Sequence, residues 1–138
     1  MIRPRVLFLC THNSARSQMA EGLLRSMAGD RFEAGSAGTE KTSVNPLAIR
    51  AMAELGIDIG GHTSKRYEDV MQPPWDYVIT VCDDANERCP LVPGSVKRLH
   101  WSFDDPSRAT GDEAQRLGVF RRVRDQIQER LASWLKSA

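Results

Sequence analysis

The feature that most constrains this chain is a junction near its N-terminus. Arg5-Val-Leu-Phe-Leu-Cys10 carries an unbroken apolar run, eight polar or small residues follow, and then apolar residues recur at helical spacing. An apolar run without polar alternation is expected of a central parallel strand buried on both faces. Ala20, Leu23, Leu24 and Met27 form the apolar stripe of the helix that follows, and Gly29 is placed to end it.

The remainder repeats this alternation of short apolar runs with longer amphipathic stretches, the pattern of an α/β sheet. Phe32 to Ala37 can form a second strand, weakened by Gly35 and Gly38. Asn45-Pro46 reads as N-cap and first helical position, with Leu47, Ala51 and Leu55 on one face and Gly56 as the stop. Trp75 to Cys82, introduced by Pro73-Pro74, is the best later strand, and Val96 to Trp101 is a shorter candidate. Thr110-x-x-Glu113 has the form of a capping box. The helix after it carries Leu117, Phe120, Ile127, Leu131 and Trp134, a stripe too short for a coiled coil and suited to packing across the sheet. The expected architecture is one three-layer α/β domain over 1–138, a four-stranded parallel sheet flanked by helices.

Composition narrows the function classes. At 138 residues the chain can bury roughly two-thirds of its unfolded surface, so its core needs no staples. A net charge of +1 lacks the strongly basic patch of a non-specific nucleic-acid binder. The run from Val6 to Cys10 is too short for a signal peptide or a membrane span, so a cytoplasmic protein without membrane contact is expected. Three cysteines are an odd count, unlike the even framework of small secreted domains. Cys82 and Cys89 are separated by six residues, which matches no common zinc spacing, and no metal or bound cofactor is expected.

In open α/β sheets, ligands bind beyond the C-terminal ends of strands, beside helix N-termini. Cys10-Thr-His-Asn-Ser-Ala-Arg16-Ser17 stands at that place. Thr11, His12, Asn13, Ser14 and Ala15 can wrap their N–H groups round an anion at the start of the helix. Arg16 can fold its planar guanidinium across that cradle and hold two oxygens of a tetrahedral oxyanion. The same positive field favours the Cys10 thiolate and makes it a nucleophile. Ser17 can donate a hydrogen bond to that thiolate, and Asn13 can brace the loop in a left-handed conformation. His12 reads as a loop-shaping residue, and His62, His100 and Met71 have ordinary surface or packing readings.

The stretch from Val6 to Gly22 resembles the start of the low-molecular-weight tyrosine phosphatase superfamily, and within it the thioredoxin-coupled arsenate reductases. Ser36-Ala-Gly38, Cys82, Cys89-Pro90 and Asp104-Asp-Pro106 extend the resemblance over nearly the whole chain. The resemblance assigns the general acid to Asp105, immediately before the proline, and implies thioredoxin as the external reductant. Cys10 would attack arsenate, Cys82 would attack Cys10 as arsenite leaves, and Cys89 would attack Cys82, leaving a Cys82–Cys89 disulfide for thioredoxin. Phosphate and sulfate are expected to compete for the cradle, and a monomer is expected.

Two other readings remain open at this level. One is a phosphatase acting on aryl phosphates or phosphotyrosine, for which Cys82 and Cys89 would be dispensable. The other is a non-catalytic anion-binding or redox-sensing module, which would have no need of Asp105. Some arsenate reductases of this type carry a potassium site built from oxygens near the loop. Asn13, Glu21 and Ser36 match it, but the remaining acidic position is Lys65. A lysine there can fill the site with its own ammonium, so no potassium dependence is expected.

Overall fold

A computed structural model of the chain describes residues 3–81 and 97–138. The four strands are β1 (Arg5–Cys10), β2 (Glu33–Gly38), β3 (Tyr77–Thr80) and β4 (Lys97–His100). The helices are α1 (Arg16–Ala28), α2 (Pro46–Ala53) and α3 (Glu113–Ser137). All strand pairs are parallel and the sheet order is β2-β1-β3-β4, so β1 has a partner on each side. Its continuous apolar sequence follows from that position, because both of its faces are covered. Val6, Phe8 and Cys10 join the larger core with residues of α1, α2 and α3. Leu7 and Leu9 point the other way, into a smaller cluster with Ala37, Tyr67, Trp75 and Val78.

The four-stranded parallel sheet flanked by helices is the architecture expected from the sequence. Several element details differ. The β3 ladder begins at Tyr77 because Trp75 turns into the smaller core, where its indole N–H donates to Val70 O at 2.8 Å. Cys82, the expected end of that strand, and Val96, the expected start of β4, lie outside the described residues. Leu55 falls beyond the end of α2 and is 39% exposed, and Met52, fully buried, takes the place expected for it. The capping box is Asp112 with Gln115, not Thr110 with Glu113. Asp112 accepts from Gln115 N at 2.8 Å and Gln115 Oε1 accepts from Asp112 N at 2.9 Å. Both spacings fit the motif, and the charged carboxylate is the better partner for a helix N-terminus.

Gly35 and Gly38, read from sequence as weakening β2, are instead what lets it pack. A methyl group on Gly35 would lie 2.5 Å from the Trp75 ring. One on Gly38 would lie 2.6 Å from Thr11 O and 2.9 Å from Asn13 N, both backbone atoms.

The last helix packs across the sheet as its stripe implies. Trp134 meets Phe32, Tyr77 and Trp101 with ring centroids 5.2, 5.3 and 6.0 Å apart. Among the described residues no helix is long and apolar enough to cross a membrane.

Charge ties α3 to α2. Glu54 accepts from Arg121 at 2.6 and 2.9 Å and from Arg124 at 2.8 Å. Arg124, almost fully buried, also donates to Ala51 O at 2.7 Å, a carbonyl in the last turn of α2. The two guanidinium groups, Arg121 first, hold the Glu54 carboxyl at about 2 against its ordinary 4.5. A carboxyl shifted down by folding stabilises above its unfolded value, and that contribution disappears as pH falls through the folded value. Glu54→Gln is therefore expected to melt below the parent protein at pH 6, with the gap closing between 4.5 and about 2. Thermal melts of both proteins across that range check it, and a gap independent of pH would contradict it.

Candidate active site

Cys10 ends the central strand and is 4% exposed, and α1 begins six residues later at Arg16. The loop between them is turned inside out by its surroundings. Thr11 O accepts from Glu40 N at 2.9 Å, and His12 O accepts from Thr42 Oγ1 at 2.8 Å and Ser64 Oγ at 3.0 Å. Asn13 O accepts from Gln18 Nε2 at 3.2 Å, Ser14 O from Asn45 N at 3.0 Å and Ala15 O from Met19 N at 2.9 Å. In a trans peptide the N–H points opposite to the C=O, so carbonyls drawn outward turn the amide donors inward. Asn13 N does donate inward, to Cys10 Sγ at 3.2 Å. The helix N-cap is Ala15, which has no side-chain oxygen to compete for those donors.

Asn13 is the one non-glycine residue at positive φ among the described residues, at +50°. It is fully buried, and its side chain braces the turn as its type allows. Asn13 Oδ1 accepts from Lys65 N at 2.8 Å, and Asn13 Nδ2 donates to Ser17 Oγ at 2.9 Å. Ser17 Oγ lies 2.9 Å from Cys10 Sγ. The thiol thus faces one backbone N–H and one hydroxyl.

Arg16 is 4% exposed, and Nη1 reaches Phe103 O at 3.3 Å and Val81 O at 3.5 Å. Its Nη2 lies 3.7 Å from Asp105 Oδ2. Asp105 Oδ1 accepts from Ser107 N at 3.0 Å and Ser107 Oγ at 2.7 Å, which fixes the carboxylate at the start of a 3₁₀ turn over Pro106–Arg108. A small cavity is lined by Cys10, His12, Ser14, Ala15, Arg16, Asp105 and Ser107. Asp104 lies outside it and faces solvent beside Arg122. Thiol, guanidinium and carboxylate are thereby brought round one small cavity. His12 points away, half exposed, with its Nε2 3.2 Å from Glu40. Cys82 and Cys89 lie outside the described residues.

The outer layer, Gln18, Gly38, Thr42, His62 and Ser64, is not legible as a site in the sequence. Gln18 had a visible signal, an amide side chain amid residues of α1 that all face protein, but only the tertiary structure supplies its partners.

The set of oxygens resembling a potassium site is already satisfied. Glu21 Oε1 accepts from Ser36 Oγ at 2.6 Å and Oε2 from Arg25 Nη2 at 2.7 Å, while Asn13 Oδ1 takes two N–H donors. Lys65 was expected to place its ammonium in this site. It donates to Thr63 O at 2.7 Å within the field of Glu21, and Arg25 makes the direct ion pair with Glu21. Burial, and Arg25 behind it, push the Lys65 ammonium down, with Glu21 opposing. A metal cation would meet two resident cations and no unengaged carboxylate, so the residues do not fit it.

The fold and the thiol-centred cradle define a class, the α/β enzymes that hold a tetrahedral anion over a cysteine at the end of a central strand. The model of the family described as low molecular weight phosphotyrosine protein phosphatase matches residues 5–138, and the chain belongs to that family. An arsenate reductase of Bacillus subtilis (strain 168) is 46% identical over 132 residues, covering 96% of this chain and 95% of that one. A solved arsenate reductase in its phosphate-binding state superposes with a TM-score of 0.83 at 35% identity, over 97% and 98% of the two chains. A thioredoxin-dependent arsenate reductase of Corynebacterium glutamicum superposes with a TM-score of 0.70 at 31% identity, covering 99% of this chain and 64% of that one.

Replacing potassium chloride by choline chloride at constant ionic strength is expected to leave both the melting temperature and the turnover unchanged. A twofold loss of rate, or a drop of several degrees in potassium-free buffer, would show that a cation binds after all.

Proposed function

We propose that this protein reduces arsenate to arsenite through a relay of three thiols and is recharged by thioredoxin, serving arsenic detoxification in the cytoplasm. The observation that carries the reading is the Cys10 thiol held by Ser17 Oγ and Asn13 N, with Arg16 and Asp105 across one small cavity. The arsenate reductases among its relatives support the choice of substrate.

The chemistry follows from these residues. Arg16 and the inward N–H groups hold the oxyanion's charge. Cys10 attacks arsenic, and Asp105 gives a proton to the departing oxygen, which leaves as water. The Cys82 thiolate then attacks Cys10 Sγ. The sulfur–arsenic electron pair passes to arsenic, arsenite departs, and a Cys10–Cys82 disulfide remains. Cys89 attacks Cys82, frees Cys10 as thiolate and leaves a Cys82–Cys89 disulfide, which thioredoxin reduces with two electrons. No bound cofactor is needed in this scheme, because thiols supply both electrons.

A phosphatase side activity is compatible with the first step, since phosphate and sulfate share arsenate's shape and compete for the same donors. Specialisation for an aryl phosphate is disfavoured. Tyr67 and Trp75, the aromatic residues of the segment after α2, are buried in the smaller core, and no aromatic residue lines the cavity among the described residues.

Sustained arsenate-dependent NADPH consumption is expected with the protein, thioredoxin and thioredoxin reductase together. Cys82→Ser is expected to abolish multiple turnover, by a hundredfold or more, while sparing hydrolysis of an aryl phosphate. Loss of both activities together, or turnover that survives the substitution, would overturn the relay.

A further inference from the structure

Behind the loop lies a chain of side chains that the reaction scheme does not use, and their donor and acceptor identities can be worked out from one fixed point. Lys65 N is a backbone donor, so the Asn13 side-chain atom it meets at 2.8 Å must be the oxygen. Asn13 Nδ2 therefore faces Ser17 Oγ as a donor, Ser17 Oγ accepts there, and the one Ser17 hydrogen is left for Cys10 Sγ at 2.9 Å. Asn13 Oδ1 is held a second time, by Gln18 Nε2 at 3.1 Å.

Gln18 is fully buried and has its own fixed orientation. Its amide nitrogen faces three oxygens, Asn13 O at 3.2 Å, Asn13 Oδ1 at 3.1 Å and Thr63 O at 3.0 Å, which only an NH₂ group can satisfy. Its Oε1 consequently faces His62 Nδ1 at 3.0 Å and accepts from it. The other ring nitrogen, His62 Nε2, accepts from Arg25 Nη1 at 3.0 Å. His62 is thus neutral and protonated on Nδ1. Burial first, with Arg25 and Lys65, pushes its protonation down against the pull of Glu21 and Asp58, which agrees with that assignment.

We propose that Gln18 is a positioning residue for the nucleophile: by donating to both oxygens of Asn13 it holds, together with Lys65 N, the direction in which the Asn13 amide points, so that the Ser17 hydrogen is directed to Cys10, and His62 fixes Gln18 in turn. This inference deepens the reading of Cys10 as the attacking thiol and rests on it. Without Gln18, among the described residues Lys65 N is the sole donor left on Asn13 Oδ1 and nothing holds the Asn13 carbonyl in the left-handed turn. The Asn13 amide can then rotate, and Ser17 can spend its hydrogen on Asn13 Oδ1 in place of the sulfur. The charged groups across the cavity from Cys10, Arg16 from α1 and Asp105 from the far wall, are untouched by a change at Gln18, and His12 of the loop points away toward Glu40.

The test is the pH profile of Cys10 alkylation by iodoacetamide, followed by mass spectrometry of the Cys10 peptide in the reduced full-length protein. It needs neither arsenate nor thioredoxin, so failure of the relay would appear in the NADPH assay and failure of this inference here. Gln18→Met is expected to raise the midpoint of the profile by about one unit, which is about tenfold slower alkylation at pH values well below both midpoints, with the high-pH plateau unchanged. In a Ser17→Ala background the same substitution is expected to shift nothing further. His62→Phe, which keeps the ring but removes the donor to Gln18, is expected to act in the same direction by about two- to threefold, and it serves as the test if Gln18→Met loses its cooperative melt. An unmoved midpoint, an equal shift in the Ser17→Ala background, or a lowered plateau at constant midpoint would each overturn the proposal.

Discussion

The side-chain amide of Asn13 is the contact on which the loop depends. A non-glycine residue at positive φ costs about 1 kcal/mol or more, so the turn persists only because the surroundings hold it. Lys65 N and Gln18 secure the Asn13 oxygen, and Ser17 secures its nitrogen. With that residue in place, the carbonyls on either side are drawn to the outer segments and the amide donors face the thiol. Remove the left-handed residue and the N–H groups could not converge on one point.

The sheet supplies the other half of the arrangement. β1 is central and parallel to both neighbours, so its C-terminal end opens at the same edge as those of β2 and β3. Gly38, paired with Cys10 across the ladder, gives the loop room to fold back over β2. Arg16 and Asp105 arrive from separate elements, one from the first turn of α1 and one from the segment after β4. Their meeting at 3.7 Å is a property of the whole fold and not of either segment. The edge strand β4, Lys-Arg-Leu-His, is by contrast charged and mostly exposed, which discourages edge-to-edge pairing with another chain.

A second network stands behind the first, where Glu21 is shared between Ser36 and Arg25 on one side of the Gln18–His62 pair. This is a place where the carboxylate's charge is met by side chains of the protein itself. The consequence is a loop braced by covalently attached cations, whose local concentration does not vary with the medium.

The alternation of apolar runs and amphipathic stretches was sufficient for the parallel sheet and its helices, because period and burial are read directly from residue type. Cys10, Asn13, Arg16 and Ser17 were legible as a group because they fall within one short segment at a strand-to-helix junction, where local chain geometry alone brings them together. Asp105 needed resemblance to distinguish it from Asp104, and the packing of the 3₁₀ turn against Arg16 now separates the two. Leu55 and the Thr110 cap were misread because both rest on element ends, where competing caps and turns differ by a fraction of a kcal/mol to about 1 kcal/mol. What the sequence by itself determined was local: strand, loop, helix and the chemical types at their junction. Only the tertiary structure decided what is non-local, that Gly38 admits the loop, that Gln18 and His62 stand behind Asn13, and that Arg25 makes the direct ion pair with Glu21. Hydrogen-bond partners dozens of residues apart leave no period in a sequence, and long flexible cations choose among several acceptors only once the fold has placed them.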